Sequence, residues 1–178
     1  MTTRGPMKLL SLMPVFLLLS VAAPARAESA VGLGVALLAR EQASGGNVIT
    51  ASPQARVQHA FSRFFLGAIT YDFAYQPVAS GWGIQLDSHQ VSLRAVGRLP
   101  LPTASLELEL GPSLRLDHGA VLANSQVVAQ QTRFYPGGAG GLFVTVPIDR
   151  FALRLGTEAQ FDSRWDLRFS VGVLWRAL

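Results

Sequence analysis

The chain has 178 residues, a formal net charge of +4 and no cysteine. The missing cysteine excludes a disulfide framework, a thiolate nucleophile and the lipid-bearing residue of a lipoprotein. Residues 1–27 hold Arg4, Lys8 and Arg26 and none of the 11 acids, so the rest of the chain carries only +1. All of its cations are arginine, no basic run or aromatic platform appears, and nucleic acid is excluded as a partner.

Taken in chain order, the first element is a leader. Arg4 and Lys8 form a positive segment, and Leu9 to Ala23 an apolar one interrupted by Ser11, Pro14 and Ser20. Ala25-Arg26-Ala27 then supplies a small-x-small cleavage site before Glu28. This predicts a cleaved signal peptide over 1–27 and one domain over 28–178; an uncleaved anchor would require a longer, unbroken apolar run. No later apolar run is long enough to cross a membrane as a helix. Membrane residence would therefore require a closed barrel, in which every backbone polar group is paired.

Eight strands follow from parity, because successive side chains of a strand point to opposite faces. Strand one, 30–40, places Val31, Leu33, Val35 and Leu37 opposite Gly32, Gly34 and Ala36. Strand two, 54–61 with Val48 as an alternative start, places Ala55, Val57 and Phe61 opposite Arg56 and Gln58, with His59 a blemish on the apolar side. Strand three, 65–75, sets Phe65, Ile69, Tyr71, Phe73 and Tyr75 against Thr70, Asp72 and Ala74. Strand four, 89–99, sets Val91, Leu93, Ala95 and Leu99 against Ser92, Arg94 and Arg98. Strand five, 104–117, is the clearest: Leu106, Leu108, Leu110, Leu114 and Leu116 oppose Glu107, Glu109, Arg115 and Asp117. Strand six, 139–147, carries Leu142, Val144 and Val146 on one side. Strand seven, 151–161, sets Phe151, Leu153, Leu155 and Ala159 against Arg154, Glu158 and Gln160. Strand eight, 165–176, sets Trp165, Leu167, Phe169, Val171, Val173 and Trp175 against Asp166, Arg168, Ser170 and Arg176.

The fold expected is all-β: an eight-stranded antiparallel up-and-down transmembrane β-barrel behind a cleaved signal peptide. Short turns at 62–64, 100–103 and 148–150 alternate with longer polar loops at 41–53, 76–88 and 117–138, and the connection at 162–164 is brief. Short turns belong on the periplasmic side and long loops outside. Phe61, Phe65, Phe151 and Trp175 fall at the periplasmic ends. Tyr71, Phe73, Tyr75, Phe161 and Trp165 fall toward the outer ends, which makes two aromatic girdles at lipid–water boundaries.

The inward charges are expected to pair across hairpins: Arg94 level with Glu109, Arg98 near Glu107, Glu158 level with Arg168, and Arg56 near Asp72. Eight-stranded barrels are just wide enough for side chains to fill. An unpaired buried charge would cost several kcal/mol, so the pattern implies an ion-paired plug, with water-exposed rims the alternative for any one pair.

The C-terminal segment Phe169-Ser170-Val171-Gly172-Val173-Leu174-Trp175-Arg176-Ala177-Leu178 alternates apolar residues around a glycine near a terminal aromatic. It resembles the C-terminal signal of outer-membrane barrels, although Trp175 lies inside the end and Leu178 takes the last place. Residues 28–178 are similar in pattern to the small outer-membrane-protein β-barrel family of OmpA/OmpX-like architecture. The resemblance implies residence among outer-membrane lipid of a diderm bacterium. It also implies recognition of Phe169, Gly172, Trp175 and Leu178 by the barrel-assembly machinery. It implies no single activity, because fold is not function.

Motifs for chemistry are sparse. Asp87-Ser88-His89 cannot form a triad by adjacency, since strand neighbours face opposite ways. His59, His89 and His118 are each without a serine two places on, the spacing of lipid A deacylase barrels. Three scattered histidines and no cysteine give no metal-ligand spacing. Pro136-Gly137-Gly138-Ala139-Gly140-Gly141 has no following lysine and helix to make a phosphate loop, so it reads as a flexible loop end and strand start, and no cofactor is implied. The reading is a non-enzymatic barrel with a side-chain-filled lumen, serving envelope integrity or surface interaction through outer loops whose partner is not specified. A narrow passive channel is the alternative, and a lipid-modifying enzyme a third.

Overall fold

Each strand with one apolar and one polar face leaves its backbone edges unpaired until a neighbour covers them, and a ring covers every edge. The computed structural model describes residues 28–41, 47–76, 83–124, 126–162 and 165–177. The expected leader, 1–27, and Leu178 lie outside the described residues. Eight strands close in sequence order: β1 (Ser29–Glu41), β2 (Asn47–Ala60), β3 (Phe65–Gln76), β4 (Gly83–Pro100), β5 (Ser105–Ala123), β6 (Gln126–Ile148), β7 (Phe151–Phe161) and β8 (Trp165–Ala177). Every neighbouring pair is antiparallel, and β1 pairs with β8 from Ser29↔Ala177 to Leu38↔Arg168 to shut the ring.

Burial is inverted relative to a soluble barrel. Leu108 and Leu110 are 57% and 60% exposed, while the alternating Glu107 and Glu109 are 0% and 1% exposed. Leu33, Val57, Ile69, Leu93, Leu142 and Phe169 continue the exposed apolar band around the outside. Only a hydrocarbon solvent makes that distribution favourable, because lipid faces the aliphatic side and the ring interior takes the charges. Small inward residues on β1 and β8 (Gly32, Ala36, Ser170) leave room for long arginine side chains from the other strands. A ring closed this way resists detergent, so unheated protein is expected to migrate differently from boiled protein on a denaturing gel. Identical mobility would contradict closure.

The membrane-level strands follow parity, but the expected loops are corrected. Much of 41–53, 76–88 and 117–138 is strand: β2 begins at Asn47, β4 at Gly83, β5 runs on to Ala123 and β6 begins at Gln126, with Ala123 and Gln126 in register. Asn124 takes φ 53°, a left-handed conformation that asparagine tolerates and that such tight hairpins demand. Asp149, at φ 54°, does the same between β6 and β7. The Gly-rich 136–141 segment, expected as a loop end and strand start, is strand throughout and lies in the middle of β6. Beyond the lipid both faces of a strand are solvated, so hydrogen bonding sustains the ladder without any two-faced pattern. A tilted membrane strand needs about 9–11 residues, whereas β5 has 19 and β6 has 23. The β5–β6 hairpin therefore stands well clear of the ring, flanked on one side by the start of β4.

Candidate functional site

The lumen is a charged interior with two centres. In the inner half, nearer the short turns, Glu109 lies at the hub. Arg56 donates to both its oxygens, at 3.1 Å (Nη1) and 2.5 Å (Nη2). Arg154 Nη2 lies 2.6 Å from Oε1, and Arg94 Nη1 lies 3.8 Å from Oε2. Arg94 also donates to Glu158 at 2.7 Å. Glu107 is shared by Arg98 at 2.9 Å and Arg154 at 3.4 Å. In the outer half, Arg115 reaches Asp117 at 3.2 Å, Asp162 at 2.8 Å and Asp166 at 3.5 Å, and stacks on Tyr135 at 4.8 Å. Between the two, Asp72 accepts from Gln54 at 2.5 Å and lies 4.0 Å from Arg168, which donates to Gln90 at 3.4 Å.

Of the residues expected inside, Arg56, Asp72, Arg94, Glu107, Glu109, Glu158 and Arg168 are buried and Arg98 is partly exposed at the short-turn rim, and several partners differ from the hairpin arithmetic. Arg98 and Glu107 are register partners, as are Glu158 and Arg168. Val96, not Arg94, is level with Glu109, and Gln54, not Arg56, is level with Asp72. The two hairpins close about one residue from the expected centres, which moves partners by two and preserves parity. Long guanidinium side chains then cross the lumen, so Arg56 binds Glu109 on β5 rather than Asp72 on adjoining β3. A pairing rule confined to adjacent strands misses such contacts.

Sequence reasoning also missed Arg115 with its three carboxylates, although Arg115 and Asp117 share one parity and Asp162 and Asp166 flank the β7–β8 connection. It missed Phe143 as well. That ring is 1% exposed, points into the lumen, and carries the Arg154 guanidinium 3.2 Å above its centre. Phe143 pairs in register with Gly156. A Cβ on Gly141 would come within 2.5 Å of the ring, and Gly156 offers no more room. The ring thus occupies the space two glycines leave, the aromatic rescue of glycine seen in barrels. The signal was the two glycines.

A cavity of about 20 Å³ beside Gly32, Arg56, Arg154 and Glu158 completes the interior. That is room for about one water molecule. Large side chains and ion pairs occupy the interior at two levels.

No family model matches the chain, and no curated protein matches it in sequence. Solved structures do match. Ail, the attachment invasion locus protein of Yersinia pestis, superposes with TM-score 0.64 at 13% identity, over 86% of this chain and all 100% of that one. A major outer membrane protein of Thermus thermophilus gives 0.66 at 12% identity, over 86% and 100%. The N-terminal β-barrel domain of Pseudomonas aeruginosa OprF gives 0.56 at 11%, over 85% and 100%. The chain has the fold of the small outer-membrane β-barrels. Its apolar outer band and charged interior are those of a barrel that sits in lipid.

On this barrel the aromatic residues gather in contacting pairs at hairpin ends. Phe61 with Phe65 (5.8 Å) and Phe151 with Trp175 (6.0 Å) lie at the short-turn end, and Phe161 with Trp165 (4.0 Å) at the other. Tyr71 and Phe73 enclose His89, whose Nδ1 is 2.7 Å from the Tyr71 hydroxyl, and Tyr75 is exposed further out. In the C-terminal strand Phe169 and Trp175 face outward, and Gly172 pairs with Gly34 across the seam. Ser88 points inward and donates to Asp117 at 2.7 Å, away from His89. His59 lies 3.0 Å from the Ser29 hydroxyl, and His118 Nδ1 lies 3.0 Å from the Thr132 hydroxyl. No serine–histidine contact at the lipid face has a carboxylate behind it among these pairs.

Proposed function

We propose that the protein is a non-enzymatic outer-membrane barrel whose lumen is sealed and whose projecting β4–β5–β6 sheet makes surface contacts. The observation that carries this reading is the outer half of β6. Residues 126–134 are exposed on both faces of the strand, and β6 meets β7 only from Gly138 onward. Gln126–Pro136 thus offers an edge without a strand partner among the described residues, beside exposed Ile84, Val121, Val127, Val128 and Phe134. Proteins normally protect such an edge with charge, proline or a covering element. Here Arg133, Pro136 and a bulge that leaves Val128 out of register with β5 are the guards among the described residues. Unpaired backbone groups next to apolar side chains are the features an extended partner segment recognises.

One of the neighbouring Ail structures holds a heparin analogue, sucrose octasulfate. This chain offers little for a sulfated ligand there, because Arg115 is buried with carboxylates and Arg133 stands without another exposed arginine in the projecting sheet. A polypeptide partner suits the edge better. Residues 1–27 act in this reading as the export leader, and Phe169, Gly172, Trp175 and Leu178 as the segment the assembly machinery reads.

The test replaces residues 121–128 with a two-residue turn lower in the hairpin. The shortened barrel should fold with unchanged gel mobility shift and unchanged stability, show no steady conductance in a planar bilayer, and lose binding to surfaces that intact cells bind. Discrete conductance from the pure intact protein would overturn the sealed lumen. Undiminished binding by the shortened form would overturn the role of the sheet.

A further inference from the structure

The short-turn end of the barrel holds a cavity of about 330 Å³ that borders the lumen network at Arg98. Arg63, Arg98 and Arg176 line it, with Glu28 the single acid, and Ser62, Ser105 and Thr145 supply hydroxyls. Its volume is at the lower end of small-ligand sites.

Two further observations point to an anion. The first is a buried hydroxyl without a partner. Thr145 is 3% exposed, and its Oγ1 makes no hydrogen bond. Buried hydroxyls are nearly always satisfied, so this one is a donor held ready for a ligand. Ser62 adds a usable proton, because its oxygen already accepts from the Phe64 and Phe65 amides at 3.2 Å and 3.0 Å. The second is a charge excess. Arg56, Arg94, Arg98 and Arg154 share only Glu107, Glu109 and Glu158 among the ion pairs of the inner half. Arg98 and Arg154 divide Glu107 between them, and Arg98 is the partly exposed member, facing the cavity. Arg98 brings that cluster to the cavity, and Arg63 and Arg176 add two further cations against the one carboxylate of Glu28.

We propose that this vestibule binds a phosphate group. Planar guanidinium forks match phosphate oxygens, and hydroxyl donors complete a set that a carboxylate, with fewer oxygens, would leave partly unused. The phosphate could belong to a soluble periplasmic compound or to an inner-leaflet lipid headgroup, and the chemistry of recognition is the same.

The experiment is calorimetric titration of the full barrel with pyrophosphate, in a phosphate-free neutral detergent at low salt. Saturable binding is expected. Thr145→Val should weaken it by about tenfold or more, the worth of one hydrogen bond to a charged group, while leaving thermal unfolding unchanged or slightly raised. Arg63→Gln with Arg176→Gln should abolish it; the Arg63 guanidinium stacks on Phe64 at the surface, outside the packed lumen, and the variant should fold. Repeating the titration in nanodiscs of phosphatidylglycerol distinguishes the sources. Loss of pyrophosphate binding there identifies the lipid headgroup as the occupant, and retained binding identifies a soluble phosphate. Absence of saturable binding to the intact barrel, or binding indifferent to all three substitutions, overturns the proposal and leaves the sealed lumen and the projecting sheet untouched.

Discussion

Glu109→Ala is expected to destabilise the barrel by about 3–5 kcal/mol, measured by denaturant unfolding in micelles, because it strips the partner from buried positive charges. Arg56, Arg94 and Arg154 all converge on that carboxylate. The cost arises from what is left behind rather than from the pair's net worth, since a desolvated guanidinium has no water to turn to. The arrangement predicts strong non-additivity. Adding Arg56→Ala to Glu109→Ala should cost little more and could recover part of the loss, because it removes a charge that had become uncompensated. Additive losses would show that the three arginines find other partners or water, and that the hub is not a unit.

Phe143→Ala is expected to cost a similar amount, about 3–5 kcal/mol, for a different reason. The ring is fully buried, fills the space above Gly141 and Gly156, and supports the Arg154 guanidinium 3.2 Å from its centre. Truncation opens a cavity and removes the surface that holds Arg154 toward Glu107 and Glu109. Phe143→Leu should restore only part of the loss, because an aliphatic chain fills volume but offers no π face to the cation. The reverse change, Gly156→Ala, should also destabilise, by about 1–3 kcal/mol, through overpacking. A neutral Phe143→Ala would remove the ring from the account of the plug.

What parity reveals is what lipid imposes. Leu106, Leu108 and Leu110 alternate with Glu107 and Glu109 because one side meets acyl chains, so the transmembrane ladder is legible residue by residue. Val127, Gln130 and Gln131 are paired to β5 as well, with a bulge at Val128, yet water lies on both sides of the strand and no alternation is enforced. That is why the projecting hairpin resembles a loop in sequence. The lumen is legible in composition but only partly in pairing. Parity assigns Arg56 and Glu109 to the interior, but the distance a guanidinium spans across the ring depends on the small residues opposite, Gly32, Ala36 and Ser170. The vestibule was the least visible. Arg63, Arg98, Thr145 and Arg176 are far apart in sequence and meet only because β2–β3, β4–β5, β6 and β8 end on one rim.

The unbroken course of β6 from Gln126 to Ile148 has a mechanical consequence. Tension applied at the tip draws both arms of the hairpin the same way, and because ladder bonds lie perpendicular to the strands it shears those that hold β5 to β4 and β6 to β7 together instead of opening them one after another. A partner pulling on the tip would be resisted along the length of those two seams.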